Sequence, residues 1–306
     1  MDHATLKTNW FVATAMAALL PSMLAAPALA DTLDRIRESG KVTLGYRTDA
    51  RPFSYQDESG KPAGYSIALC EAIAESTKTD LGLSALSVEW VPVTIQDRFQ
   101  AIKDSKIDLL CGAETETLGR RTQVAFSIPI FEGGIGALVR ADSPPPLREV
   151  LSGKPLSGPI WRGSPARVLE KKTFSAVAGT TSEKWLNSQI DKLQLTATVV
   201  PVDSYATGIA RVLDGSTDVF FGDRPILVDA IQGNSSGSDL VVLERLFTAE
   251  PIALALARND DDFRLAVDRA LSQLYGSPAF HDLYQKWFGE PDDTTLAFFR
   301  MAALSE

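Results

Sequence analysis

Three kinds of residue in this chain carry usable chemistry. They are arginines beside short helices, a threonine-rich helix start, and one aspartate at the end of an apolar run. In Thr115-Glu116-Thr117-Leu118-Gly119-Arg120, Thr117 has the position of an N-cap, which puts Arg120 in a first helical turn. The helix dipole disfavours a cation there, so an anion is expected to compensate, and a guanidinium fork fits a carboxylate in bidentate geometry. Gly179-Thr180-Thr181-Ser182-Glu183 has capping-box spacing between Thr180 and Glu183. It reads either as an ordinary cap or as a ring of free N–H groups that suits a carboxylate. Asp223, in Gly222-Asp223-Arg224-Pro225, follows the apolar run 218–221. It reads either as the N-cap of the next helix or as a ligand residue at a strand's carboxyl end, where it would hold an ammonium group. Arg47, just past the first strand, and Arg98, in a short helix, are further cations that are either solvated or functional. A zwitterion needs a cation and N–H donors for its carboxylate and a carboxylate for its ammonium, and this set offers all three.

Alternating strands and helices must position these groups. Strands are predicted at 41–46, 88–92 and 107–111, and helices at 33–39, 65–77 and 96–103. A second set follows, with strands at 174–177, 197–200, 218–221 and 241–243 and helices starting at Ser182 and Tyr205. Two apolar runs, 136–140 and 252–258, bracket that second set, and helices at 262–275 and 278–288 come after it. The fold class is α/β with largely parallel sheets. The expected organisation is a first lobe of residues 31–140 and 253–306 with a second lobe, 141–252, inserted into it. The chain then crosses twice, which makes a hinge, and the cleft between the lobes is the natural ligand site. The apolar patch at 291–306 (Leu296, Phe298, Phe299) reads as a packed tail.

Composition narrows the function classes. The chain has 306 residues, 30 Lys+Arg against 39 Asp+Glu, and a formal charge of −9. It is 45% apolar and 23% charged, which is ordinary globular composition long enough for two domains. The acidic balance, with no basic run, excludes nucleic acid and anionic membrane surfaces as partners. No cofactor and no metal are expected, because no cluster has metal-ligand spacing. Residues 1–30 read as a signal peptide: Lys7, an apolar stretch from Trp10 to Leu24, and Ala28-Leu29-Ala30 as a cleavage site. The competing reading is an uncleaved anchor, although the stretch is short for a membrane span. Export to an oxidising compartment leaves Cys70 and Cys111 with two readings, a disulfide or two buried thiols.

The ordered motifs give a family resemblance. They are Pro52-Phe53, Gly64-Tyr65, Ile107-Asp108-Leu109, Thr115-x-Thr117-x-x-Arg120, Phe126-Ser127-x-Pro129, the Gly179–Glu183 run, Asp223, and Lys286-Trp287-Phe288. The chain resembles the periplasmic amino-acid-binding proteins of ABC importers (polar amino acid class, solute-binding protein family 3), and is most similar to the glutamate/aspartate-binding proteins. The resemblance runs from about residue 33 to 288. It implies a two-lobed periplasmic binding protein type II fold with two crossover strands as hinge. It also implies a periplasmic location, an amino-acid ligand of acidic type, delivery to an ABC transporter permease in the inner membrane, and a monomer. By the same resemblance, Arg120 holds the ligand α-carboxylate and Asp223 its α-amino group. Thr115 matches the polar contact of the first loop, and Thr181, with Thr180 and Ser182, the second-lobe contacts. Arg47 and Arg98 match arginines used on the ligand's side-chain carboxylate. Cys111-Gly112 is shared with that group, Ala113 stands where a ligand-binding serine is common, and Tyr205 stands in place of a histidine. Glu114 and Glu116 would repel an acidic side chain if they faced the cleft. An enzyme resembling the cyclohexadienyl dehydratases is the alternative, with Glu114 or Glu116 as its acid, and a ligand sensor is a third option. His281 is the one histidine after residue 30.

Overall fold

A computed structural model describes residue 1 and residues 31–156, 165–233 and 236–305. The signal segment expected at 1–30 lies, Met1 apart, outside the described residues, as does 157–164 with Trp161 and Arg162. Among the described residues, no helix is long and apolar enough to cross a membrane.

The described residues from Asp31 onward form two lobes, each built on its own sheet. The first sheet runs, in order, Ser87–Val93, Lys41–Arg47, Leu109–Thr115, Glu250–Leu256 and Ala125–Phe126. The second runs Thr198–Val202, Thr173–Val177, Val219–Asp223, Ile135–Arg140 and Leu240–Val242. In each sheet three strands are parallel, with helices between them, and the later pairings are antiparallel.

The lobes share one local device. The Asp108 carboxylate accepts the Thr43 N–H at 2.8 Å, and the Asp218 carboxylate accepts the Thr173 N–H at 2.8 Å. Each aspartate stands just before a buried central strand and pins the start of the strand beside it, which fixes the parallel register. Arg35 reaches Asp108 at 2.9 Å and Lys172 reaches Asp218 at 2.8 Å, so each carboxylate also has a cation. The Ile107-Asp108-Leu109 motif is therefore part of the scaffold.

Other motifs of the resemblance are also packing. The Tyr65 N–H donates to Pro52 O and the Ser66 N–H to Phe53 O. Phe53, Tyr65, Phe131 and Phe288 meet with ring centroids 4.5–6.2 Å apart, mostly edge to face. This aromatic cluster ties the strand-loop region to the helix Pro278–Phe288. The C-terminal helix Asp293–Ala302 packs as expected, with Phe299 buried against Tyr275, Phe280 and Tyr284.

Three differences from the sequence reading matter. The strand expected at 107–111 is Leu109–Thr115, because its far half pairs with the returning strand, Ile252 opposite Thr115. Thr115 is thus a strand residue, not a loop residue. The run 136–140 joins the second sheet rather than the first, through Phe220–Leu138 and Val241–Val139 pairing. The chain therefore crosses near Gly134, and crosses back near Glu250. At the crossing the two segments run side by side: Glu250 is paired with Gly133, Thr248 Oγ1 accepts the Ile135 N–H at 3.0 Å, and Ile135 O accepts the Phe247 N–H. A Cβ on Gly134 would lie 2.2 Å from Thr248 O, so the close approach of the two hinge segments requires glycine there.

Cys70, on the helix Tyr65–Asp80, and Cys111, on the central strand, form a disulfide with a Cα separation of 6.2 Å. Of the two readings open in the sequence, the bonded one is what the structure contains.

Candidate functional site

The carboxyl ends of the central strands face one another across the cleft, and nine of the eleven candidate ligand residues line one small cavity there. From the first lobe come Arg47, Arg98, Ala113, Thr115 and Arg120. From the second come Thr180, Thr181, Tyr205 and Asp223. Gly112 and Ser182 do not line it. Gly112 leaves space for a neighbour instead, since a Cβ on it would stand 3.1 Å from Glu114 Oε1. Ser182 is buried inside its lobe, and its hydroxyl has no hydrogen-bond partner among the described residues.

On the first lobe, Thr117 caps the short helix Leu118–Arg121 by accepting the Arg120 N–H at 3.1 Å. That cap turns the Arg120 side chain back over the strand, where Nη1 donates to Thr115 O at 2.7 Å. The Phe99 ring lies 5.5 Å from the Arg120 guanidinium and 4.4 Å from that of Arg98. Burial lowers the pKa of Arg120 from its usual value, with Glu114 opposing and Arg98 reinforcing the fall.

On the second lobe, Thr180 caps the helix Thr181–Leu193, accepting the Glu183 N–H at 3.2 Å, and Glu183 Oε2 accepts the Gly179 N–H at 2.7 Å. The Thr180 hydroxyl also donates to Val177 O. Its hydrogen-bonding capacity is thus engaged in the cap, and the free backbone N–H groups of the first turn are what remain for an anion. Thr181 Oγ1 lies 3.5 Å from Thr115 Oγ1, across the cleft, and donates to Glu250 Oε2 at 3.2 Å. Arg51 and Asp229 also meet across the cleft rim, at 3.0 Å.

Asp223 stands at the N-cap position of the helix Arg224–Gln232, but its side chain makes no capping hydrogen bond. Instead Tyr205 donates to Asp223 Oδ2 at 2.8 Å, and Oδ1 is buried with no partner among the described residues. Burial raises the Asp223 carboxyl to about 6; the Tyr205 hydrogen bond and Arg120 resist, while Glu250 and Glu114 add to the rise. Burial also lifts the Tyr205 phenol well above its normal value, so it stays a donor.

The arginines converge, but the site is not the cationic pocket that three of them would make. Arg47 is held by Asp49, with Nε to Oδ1 at 2.9 Å. Arg98 Nε donates to Glu114 Oε2 at 2.7 Å, with the two side chains 5% and 2% exposed. Burial works against the Glu114 charge, yet Arg98, Arg120 and Arg47 outweigh it and hold the carboxyl below its usual range. Glu114 therefore faces the cleft, whereas Glu116 turns away to Arg121 at 2.6 Å. Ala50, Ile95 and Ile226 also line the cavity and were not among the sequence candidates; nor was Glu250, which accepts from Thr181 beside it. The signal for Glu250 was its place at the first residue of the returning strand, beside the hinge.

The family model for bacterial extracellular solute-binding proteins, family 3, matches residues 42–290. The chain is 29% identical to the L-glutamate/L-aspartate-binding protein of Pseudomonas aeruginosa, over 90% of this chain and 86% of that one. It is 26% identical to the glutamate/aspartate import solute-binding protein of Escherichia coli, over 87% and 82%. Among solved structures it is similar to the ancestral amino acid-binding protein AncCDT-1, a precursor of cyclohexadienyl dehydratase. That match has TM-score 0.69 and 25% identity, and covers 85% of this chain and all of that one. With two lobes joined by two crossing segments and a polar cleft between them, the chain belongs to the bacterial extracellular solute-binding proteins, family 3.

Proposed function

We propose that this protein captures an α-amino acid between its lobes in the periplasm and delivers it to the permease of an ABC importer, acting as a monomer. One observation carries the reading. Arg120 on the first lobe and Asp223 on the second line the same cavity, which brings together a cation and a carboxylate, one for each end of a zwitterion. The first lobe is taken as residues 31–134 with 249–306, and the second as 135–248. Arg120 would receive the α-carboxylate together with the N–H groups of the first turn at Thr181. Asp223 Oδ1 would receive the ammonium group. A ligand that bridges both lobes supplies the differential energy for closure, and no covalent step is required. The names of the relatives make glutamate and aspartate the first ligands to test, with Arg47 and Arg98 at the side-chain end.

The dehydratase alternative is weaker on these grounds. Its two candidate acids are engaged: Glu114 is held ionised by arginines, and Glu116 is paired with Arg121. A general acid must carry a proton near the working pH.

A thermal-shift screen against the twenty amino acids, with prephenate as a further ligand, tests the reading. A true ligand at a hundred times its Kd adds roughly 2.7 kcal/mol of stability. Failure of every amino acid to shift the melting temperature, or turnover of prephenate, refutes it.

A further inference from the structure

We infer that Glu114 makes the side-chain end of the cleft a receptor for an uncharged group that both donates and accepts hydrogen bonds, a carboxamide above all, and turns away a second ligand carboxylate. The inference rests on the amino-acid-binding reading above and narrows its ligand. The amides glutamine and asparagine keep the shape of the relatives' ligands and change only the head group.

Register places Tyr46 beside Cys111, and a Cβ on the next residue, Gly112, would stand 3.7 Å from Arg47 Cγ and 3.1 Å from Glu114 Oε1, so both side chains border the space over Gly112. Gly112 has no side chain, which leaves the Glu114 carboxylate room to lie there. Oε2 is taken by Arg98, and Oε1 is buried with no hydrogen-bond partner among the described residues. Glu114 lines the cavity, and its second carboxylate oxygen, buried and without a partner among the described residues, calls for a donor. The two arginines that would receive a ligand carboxylate already hold carboxylates of this chain, Arg47 that of Asp49 and Arg98 that of Glu114.

The possible ligand head groups differ in what they offer Oε1 and the arginines. A carboxylate offers only acceptors, so it would set like charge against Glu114 and leave Oε1 without a donor. An ammonium or guanidinium would supply a donor to Oε1 but would stand against the Arg98 guanidinium on the same carboxylate and would offer that edge no acceptor. An apolar group would leave Oε1 unsatisfied. A carboxamide supplies N–H to Oε1 and C=O to the guanidinium edge, and adds no charge.

Isothermal titration of the purified chain at pH 7.5 with glutamine, asparagine, glutamate and aspartate tests this, alongside the isosteric variant Glu114→Gln. An amide is expected to bind about tenfold or more tighter than its acid, because a polar mismatch in a buried site is discriminated strongly. In Glu114→Gln, Arg98 is released and the ligand carboxylate no longer meets a fixed one, so the preference is expected to fall about tenfold or to reverse. Tighter binding of glutamate than of glutamine by the unaltered chain overturns this inference and leaves the amino-acid reading intact. So does an unchanged preference in a Glu114→Gln protein that melts cooperatively. If that variant does not fold, the unaltered chain's own preference decides. Binding of none of the four, with another amino acid bound instead, also overturns the inference alone. Absence of binding by any amino acid removes both readings.

Discussion

The Tyr205 hydroxyl clasps Asp223 twice: it donates to Oδ2 at 2.8 Å and accepts the Asp223 backbone N–H at 3.2 Å. Tyr205 opens the helix Tyr205–Leu213, and Asp223 ends the strand Val219–Asp223, so one ring fixes a carboxylate between two elements. The clasp leaves Oδ1 buried without a partner among the described residues, and the proposed function assigns the ligand ammonium to it.

Asp223→Asn should therefore weaken amino-acid binding by roughly 100-fold, about 2.7 kcal/mol, as expected for loss of a charged partner in a buried site. Tyr205→Phe keeps the carboxylate but frees its orientation, and should cost less, about tenfold. Titration calorimetry on both variants checks the order. A Tyr205→Phe loss as large as that of Asp223→Asn would contradict a positioning role for the ring.

The pH response follows from the same carboxyl. Its folded value of about 6 lies above the ordinary 3.8, so the folded, ligand-free chain takes up a proton that the unfolded chain does not take between those values. Stability should rise as pH falls from about 6 to about 4, through relief of a penalty of about 3 kcal/mol that is fully present above that window. Affinity moves the other way. An ammonium ligand needs Asp223 ionised, so Kd should weaken about tenfold between pH 7 and pH 5. A flat Kd over that range would show that Asp223 does not hold the charged group.

The Arg98–Glu114 pair gives a stability test. Removing one partner strands a buried charge, so Arg98→Ala should cost about 3 kcal/mol or more. Replacing both, as Arg98→Met with Glu114→Leu, should recover most of that loss. Urea denaturation of the single and double variants measures the coupling, and simple additivity would argue against a tight pair.

The Cys70–Cys111 bond closes a loop with a sequence separation of 41. The chain-entropy model assigns such a loop about 4 kcal/mol, and measured losses usually run from about 2 to 5. The double variant Cys70→Ser, Cys111→Ser should lower the unfolding free energy within that range, read by denaturant melts under non-reducing conditions. The disulfide lies outside the cleft wall, so ligand Kd should change less than threefold, roughly 0.7 kcal/mol.

By itself the sequence determined the elements and their order. Hydrophobic periodicity marks helices such as Tyr65–Asp80 and Asp261–Tyr275 because each buries one stripe of its own residues. The caps at Thr117 and Thr180 were legible for the same reason, since a cap and its N–H lie three residues apart. The tertiary structure decided which distant groups meet. Ile135–Arg140 reads alike for either sheet, and only its pairing with Val219–Asp223 assigns it to the second. Three arginines near one cleft look cationic in sequence, yet Asp49 and Glu114 neutralise two of them. The strand's end, Ala113 to Thr115, carries Glu114 to the cavity, and packing of the helix Arg98–Lys103 brings its partner there. Local pattern encodes local structure, whereas the charge of a site is a sum over residues brought together only by the fold.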